Sequence, residues 1–166
     1  MKALVLGATG AVGRHIVDTL IDNHEIQDIH VFVRRPVTYT SPKVTVHIVN
    51  FDEPREWAHL VTGDILFSAM GTNRKQAGSK EAQWTVDYTN QYEMARIAAQ
   101  NGVKKYGLVS SLGANSKSPF FYMSMKGQLE EAILELPFEA IVIVRPATLI
   151  REEPKLVERI SCAVLG

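Results

Sequence analysis

The stretch Gly7-Ala8-Thr9-Gly10-Ala11-Val12-Gly13 constrains this chain more than any other. It follows the apolar run Ala3-Leu4-Val5-Leu6. Beyond it, Val12, Ile16 and Leu20 recur at helical spacing with Val17 and Ile21 beside them, so the glycines occupy the turn between a buried strand and an amphipathic helix. Backbone N–H groups in the first turn of a helix lack intrahelical partners and carry the positive end of the dipole, which makes this turn a seat for an anion. Glycine at 7 and 10 lets a pyrophosphate approach the backbone, and Gly13 lets the helix lie close on the strand. The spacing is G-x-x-G-x-x-G rather than G-x-G-x-x-G. With a strand before it and a helix after it, the turn points to a dinucleotide site.

The rest of the chain repeats the strand-helix alternation. Ile29-His30-Val31-Phe32-Val33 reads as a second strand and Val44-Thr45-Val46-His47-Ile48-Val49 as a third, the latter followed by a short helix begun at Glu53-Pro54. Asp64 to Met70 reads as the fourth strand. A long helix, in one piece or two, runs from about Ser79 to Gln100 and is stopped by Asn101-Gly102. Tyr106 to Ser111 is the fifth strand, Pro119 opens a helix through about Leu136, and Glu139 to Val144 is the sixth strand. Helices between successive strands imply parallel pairing, and the expected fold is one α/β domain over residues 1–166, a doubly wound Rossmann sheet ordered 3-2-1-4-5-6.

Composition limits the partners. The 166 residues carry 18 basic and 18 acidic side chains, so no global field gathers nucleic acid or an anionic membrane, and neither partner is expected. Cys162 is the single cysteine, fits a reducing compartment and is expected to be buried. The four-residue apolar run at the N-terminus is too short for a signal peptide or a membrane span, so a cytoplasmic protein is expected. The five histidines, at 15, 24, 30, 47 and 59, show no metal-ligand spacing, and no metal is expected. Trp57 and Trp84 read as packing residues. The sequence marks no oligomer face.

Which dinucleotide binds is suggested by the end of the second strand. A carboxylate there would accept from a ribose 2′-OH, whereas this chain has Arg34 and Arg35, whose guanidinium forks suit phosphate oxygens. NADP(H) is therefore expected over NAD(H).

Tyr122-Met123-Ser124-Met125-Lys126 is the group that carries chemistry. Four positions apart on a helix, the phenol and the ammonium share a face, and they follow the strand that delivers Ser110 and Ser111 to the ligand edge. Tyr39 and Lys43 share the spacing, but Thr40-Ser41-Pro42 between them cannot continue a helix. Tyrosine near its usual pKa of about 10 needs about three units of depression to act near neutrality, and an adjacent ammonium works in that direction. In this reading Ser111, with Ser110 as the alternative, bonds a substrate oxygen. Tyr122 exchanges its proton, and Lys126 holds the cofactor ribose while tuning the phenol. Asp87 is expected to buttress the long helix, and Met123 and Met125 to flank the Tyr-Lys face.

These residues resemble the extended and atypical short-chain dehydrogenase/reductases. The resemblance covers Gly7 to Gly13, Val31 to Pro36, Met70-Gly71-Thr72, Thr85-Val86-Asp87-Tyr88, Leu108 to Ser111, Tyr122 to Lys126 and Val144-Arg145-Pro146. The chain is most similar to the small NAD(P)H-binding subgroup that includes the Tat-interacting tumour-suppressor protein and NmrA-like proteins. The resemblance implies a catalytic set of Ser111, Tyr122 and Lys126, with cofactor contacts from Gly7, Thr9, Gly10, Ala11, Val12, Gly13, Arg34, Arg35 and Lys126. It also implies that Phe51 and Asp52 lie by the adenine and that Ala69, Met70 and Gly71 pass beside a cofactor ribose.

Two departures accompany it. Only eleven positions separate Ser111 from Tyr122, fewer than in typical extended members, and elements of the substrate lobe are expected to be short or missing after the sixth strand, with Glu153 to Leu165 as a lone helix. The expected function is hydride transfer to or from a small carbonyl or alcohol. The alternatives are an NAD(P)H-binding regulator acting on a protein partner and an NAD-dependent epimerase or dehydratase.

Overall fold

A computed structural model describes residues 1–147. The expectations for Cys162 and for a helix over Glu153 to Leu165 lie outside the described residues. Six strands form one parallel sheet: β1 (Lys2–Leu6), β2 (Asp28–Val33), β3 (Val44–Ile48), β4 (Ile65–Ser68), β5 (Lys105–Val109) and β6 (Ala140–Val144), ordered β3-β2-β1-β4-β5-β6. The order reverses between β1 and β4, where Leu6 pairs with Phe32 on one side and Ser68 on the other. The helices that follow these two strands, over Ala11–Asp22 and Asn90–Gln100, pack on opposite faces of the sheet, which leaves between the strand ends the crevice in which open α/β sheets bind ligands.

Alternation along β1 divides the core. Leu4 and Leu6 face one layer with Phe32, Leu66, Tyr106 and Leu108, packed by Met94, Ala95 and Ala98 of α5 (Asn90–Gln100) and Leu129 and Ile133 of α6 (Phe121–Leu134). Ala3 and Val5 face the other with Val31, packed by Val17 and Leu20 of α1 (Ala11–Asp22). Trp57, on the short α2 (Pro54–Trp57), is 2% exposed and packs as expected.

Two local features differ from the sequence expectation. A four-residue helix, α3 (Arg74–Ala77), follows β4, its first turn capped by Asn73, whose Oδ1 accepts from Gln76 N at 2.9 Å. The long helix is α4 (Lys80–Trp84), a π turn over Thr85–Thr89, and α5 in unbroken succession. The π turn inserts one extra residue per turn, which shifts every side chain after it around the axis. Gly102, at φ +85°, ends this run as the sequence indicates. Lys43, in the rejected Tyr39 pair, donates from Nζ to the carbonyls of Ile21 (2.7 Å) and Asn23 (3.0 Å) at the end of α1.

Candidate functional site

The glycine turn is built as three separate requirements. Gly7 takes φ +82°, and a Cβ there would lie 2.4 Å from Met70 N, so this glycine lets β1 run on against the end of β4. A Cβ on Gly13 would lie 1.9 Å from the Gly7 carbonyl oxygen, so the first turn of α1 rests directly on the loop. Gly10 differs: a Cβ would meet nothing nearer than Gly7 O at 3.4 Å, and its φ of −77° suits any residue. Its bareness therefore serves the open face of the loop rather than the protein's own packing.

The amides follow the same division. Gly10 N donates to Gly7 O at 3.1 Å and Arg14 N to Gly10 O at 3.1 Å. Between them the N–H groups of Ala11, Val12 and Gly13 have no acceptor among the described residues, and no side chain caps α1. An anion is the partner that this end lacks, which fits the pyrophosphate of a dinucleotide.

A cleft of about 700 Å³ opens over this turn. Its lining brings together Gly7, Thr9 and Gly10, Arg34 and Arg35, Phe51, and Ala69, Met70 and Gly71. Both arginines are exposed and make no ion pair among the described residues. Phe51 is mostly buried, edge-on to Trp57 at 5.8 Å between ring centroids, while Asp52 is exposed and lines an adjoining hollow with Asn50 and Arg34. Thr72, Gln76, Val86 and Asn90 complete the wall of the main cleft. No periodicity singles these four out in the sequence, because they come from the loop after β4, from α3 and from the helix shifted by the π turn.

The second group lies behind that wall. Lys126 is 2% exposed, and its Nζ sits 3.1 Å from Asp87 Oδ1 on the π turn and 5.8 Å from the centroid of the Tyr122 ring. Lys126 and Tyr122 thus share the expected helix face. The ammonium is engaged by a buried carboxylate, and Ser111, Tyr122 and Lys126 are not among the residues that line the cleft.

The electrostatics correct one expectation. The Tyr122 phenol is pushed above its ordinary pKa, first by burial and then by the negative charge of Asp87, with the Ser111 hydroxyl acting in the opposite sense. The Lys126 ammonium is not among the groups that set this direction, whereas the Asp87 carboxylate beside it is. Asp87 is itself raised, chiefly by burial, against the opposing pull of Lys126 and of its hydrogen bond from Thr72 N. Ser111 Oγ donates weakly to the Leu112 carbonyl at 3.4 Å, and the buried Ser110 Oγ has no partner among the described residues. Met125 is fully buried in the core instead of flanking the site, whereas Met123 lies against Gly113. Among the described residues no group of three or more histidine, cysteine or carboxylate side chains could hold a metal, and no helix is long and apolar enough to cross a membrane.

Comparison with known proteins gives a consistent result. A family model described as NAD(P)H-binding matches residues 7–161. The chain is 38% identical over 157 residues to protein FMP52, mitochondrial, of Candida albicans, covering 92% of this chain and 69% of that protein. It is 38% identical over 173 residues to protein FMP52-1, mitochondrial, of Scheffersomyces stipitis, covering 99% and 76% respectively. Among solved structures, MoeE5 in complex with UDP-glucuronic acid and NAD superposes with a TM-score of 0.75 at 15% identity over 98% of this chain, which spans 61% of the MoeE5 chain. That likeness is one of fold. The cytoplasmic expectation is overturned by the relatives, whose names place them in the mitochondrion; net charge and a short apolar run carry no information about import.

Proposed function

This chain belongs to the NAD(P)H-binding family, within the short-chain dehydrogenase/reductase type of fold, and from that premise we propose that it is an NADP(H)-dependent oxidoreductase acting on a small carbonyl or alcohol. The observation that carries the reading is a single cleft that gathers the bare glycine turn, two guanidinium groups unpaired among the described residues and a wall backed by Asp87 and Lys126. The free amides of Ala11, Val12 and Gly13 would hold the diphosphate and Arg34 and Arg35 the 2′-phosphate. When bound, the dinucleotide supplies or accepts the hydride.

In this reading Ser111 Oγ donates a hydrogen bond to the substrate carbonyl oxygen. The Tyr122 phenol delivers its proton to the same oxygen as the carbonyl is reduced. A phenol that stays protonated at neutral pH suits the reductive direction. The names of the relatives point to the mitochondrion as the place where it works.

The test is a panel of carbonyl substrates followed by NADPH absorbance, comparing the native chain with Tyr122→Phe. Turnover by the native protein and its loss in the variant, with cofactor binding unchanged, is the expected result. One observation favours a second reading, a nucleotide-binding regulator with a protein partner: the Lys126 ammonium is tied to Asp87. Cofactor binding without any Tyr122-dependent turnover would select it.

A further inference from the structure

The Lys126–Asp87 pair is the most deeply buried ion pair among the described residues, with side chains 3% and 1% exposed. Burying an ammonium and a carboxylate costs several kcal/mol each unless they meet each other and further hydrogen-bond partners. Asp87 meets two sides at once. Its Oδ1 faces Lys126 Nζ at 3.1 Å, and its Oδ2 accepts from Thr72 N, in the cleft wall, at 2.9 Å. Gly71 permits the approach, since a Cβ there would lie 3.3 Å from Asp87 Oδ1. The backbone that carries Asp87 is fixed from below: Gln91 Nε2 donates to the Asp87 carbonyl at 2.8 Å, and Ser68 Oγ of β4 donates to Gln91 Oε1 at 2.7 Å.

We propose that Asp87 is the positioning residue of this site: its carboxylate ties Lys126 of α6 to the Gly71–Thr72 wall of the cleft, so that the Tyr122 phenol faces a neutral ion pair and not a bare ammonium. The groups that face the phenol are Lys126 on its own helix, Asp87 across from the π turn and the Ser111 hydroxyl beyond the end of β5. Removing the Asp87 charge alone therefore exposes the phenol to an uncompensated cation. Removing the Lys126 charge alone exposes it to an uncompensated anion. The inference rests on the oxidoreductase reading for its functional meaning, but its geometry does not require turnover.

The experiment is a pH titration of tyrosine ring-carbon NMR signals in the cofactor-free protein, with the Tyr122 signal assigned by its absence in Tyr122→Phe. Asp87→Asn keeps the shape and the acceptor for Thr72 N while removing the charge. Its Tyr122 midpoint is expected about one pH unit or more below that of the native protein. An unchanged midpoint in a folded variant overturns the proposal.

A second comparison guards against misfolding caused by an unpaired lysine. The Tyr122 midpoint in Lys126→Met should lie about one unit above that in the double variant Asp87→Asn/Lys126→Met, and equal midpoints would overturn the proposal. A purely structural role for Asp87 moves neither difference. Loss of the oxidoreductase reading by failure of turnover leaves both shifts standing, whereas equal midpoints in an active protein remove this inference alone.

Discussion

Gly13 rests on Gly7 so closely that a methyl group at position 13 would sit 1.9 Å from the Gly7 carbonyl oxygen, inside any permitted contact. At Gly10, three residues earlier, a methyl group would make only ordinary contact, with Gly7 O at 3.4 Å. Alanine at the two positions should therefore separate folding from binding. Gly13→Ala is expected to destabilise the fold by about 1–3 kcal/mol or more, the usual range for overpacking, and to lower the melting temperature by several degrees. Gly10→Ala should change stability by less than about 0.5 kcal/mol, as surface substitutions do. It should nevertheless weaken cofactor binding at least tenfold, because its methyl group enters the face left open to the diphosphate. Thermal unfolding beside a nucleotide titration checks both; equal effects of the two substitutions in both assays would refute the division.

Arg34 and Arg35 have no carboxylate partner among the described residues, so their charge is available to a ligand in the cleft they line. A hydrogen bond to a charged group is worth about 1.5–3 kcal/mol, which corresponds to about 10–150-fold in affinity. Arg34→Ala/Arg35→Ala should weaken NADPH by that order and leave NADH within about twofold. The measurement is a fluorescence titration with both nucleotides at one ionic strength, since screening changes such contacts. A parallel loss for both nucleotides would count against the 2′-phosphate assignment.

His30 Nδ1 and His47 Nε2 meet at 2.7 Å across β2 and β3, with Asp28 on the far nitrogen of His30 and Phe32 stacked on His47. The His47 pKa is lowered, first by burial and then by His30, Lys2 and His59, with Asp28 opposing. A base whose folded pKa is depressed binds fewer protons in the native chain than in the unfolded one. Its contribution is thus present above the unfolded value near 6.5 and is lost as pH falls through the folded value. His47→Phe keeps a ring on Phe32 and removes the titration, so its melting temperature should fall less than that of the native protein between pH 7.5 and 5. Parallel pH dependences would show that the pair does not contribute.

How much of this was legible in the sequence follows from what each feature depends on. The sheet order was readable because each apolar run is separated from the next by segments too long for hairpins, and Gly7 and Gly13 announce their turn by type and spacing. Helix α3 was missed because four residues closed by an Asn73 cap show no period. The π turn was missed because it changes hydrogen-bond register without changing composition. That loss carried a chemical consequence: the spacing put Tyr122 and Lys126 on one face, but the burial and the Asp87 carboxylate that push the phenol up come from tertiary packing, Asp87 from another helix, and the sign of the phenol's shift came out reversed. The histidine contact has no mark in the sequence either, since His30 and His47 meet only through the pairing of β2 with β3.

On the proposed oxidoreductase reading, the raised pKa of Tyr122 gives a direction for the pH dependence of turnover. Burial and Asp87 keep the phenol protonated at and above neutrality, so the group able to donate a proton to a carbonyl oxygen is the majority form across that range. Carbonyl reduction should hold a plateau in kcat/KM through neutral pH and fall only as pH rises past the phenol's elevated value, whereas alcohol oxidation, which needs phenolate, should climb with pH over the same range. In Asp87→Asn both limbs should move to lower pH together, because one group serves both directions. The pH profiles of the forward and reverse reactions, taken with the native protein and this variant, provide the check. A reductive limb that stays put while the oxidative limb moves would mean that two different groups carry the proton, and Tyr122 would lose its assigned part.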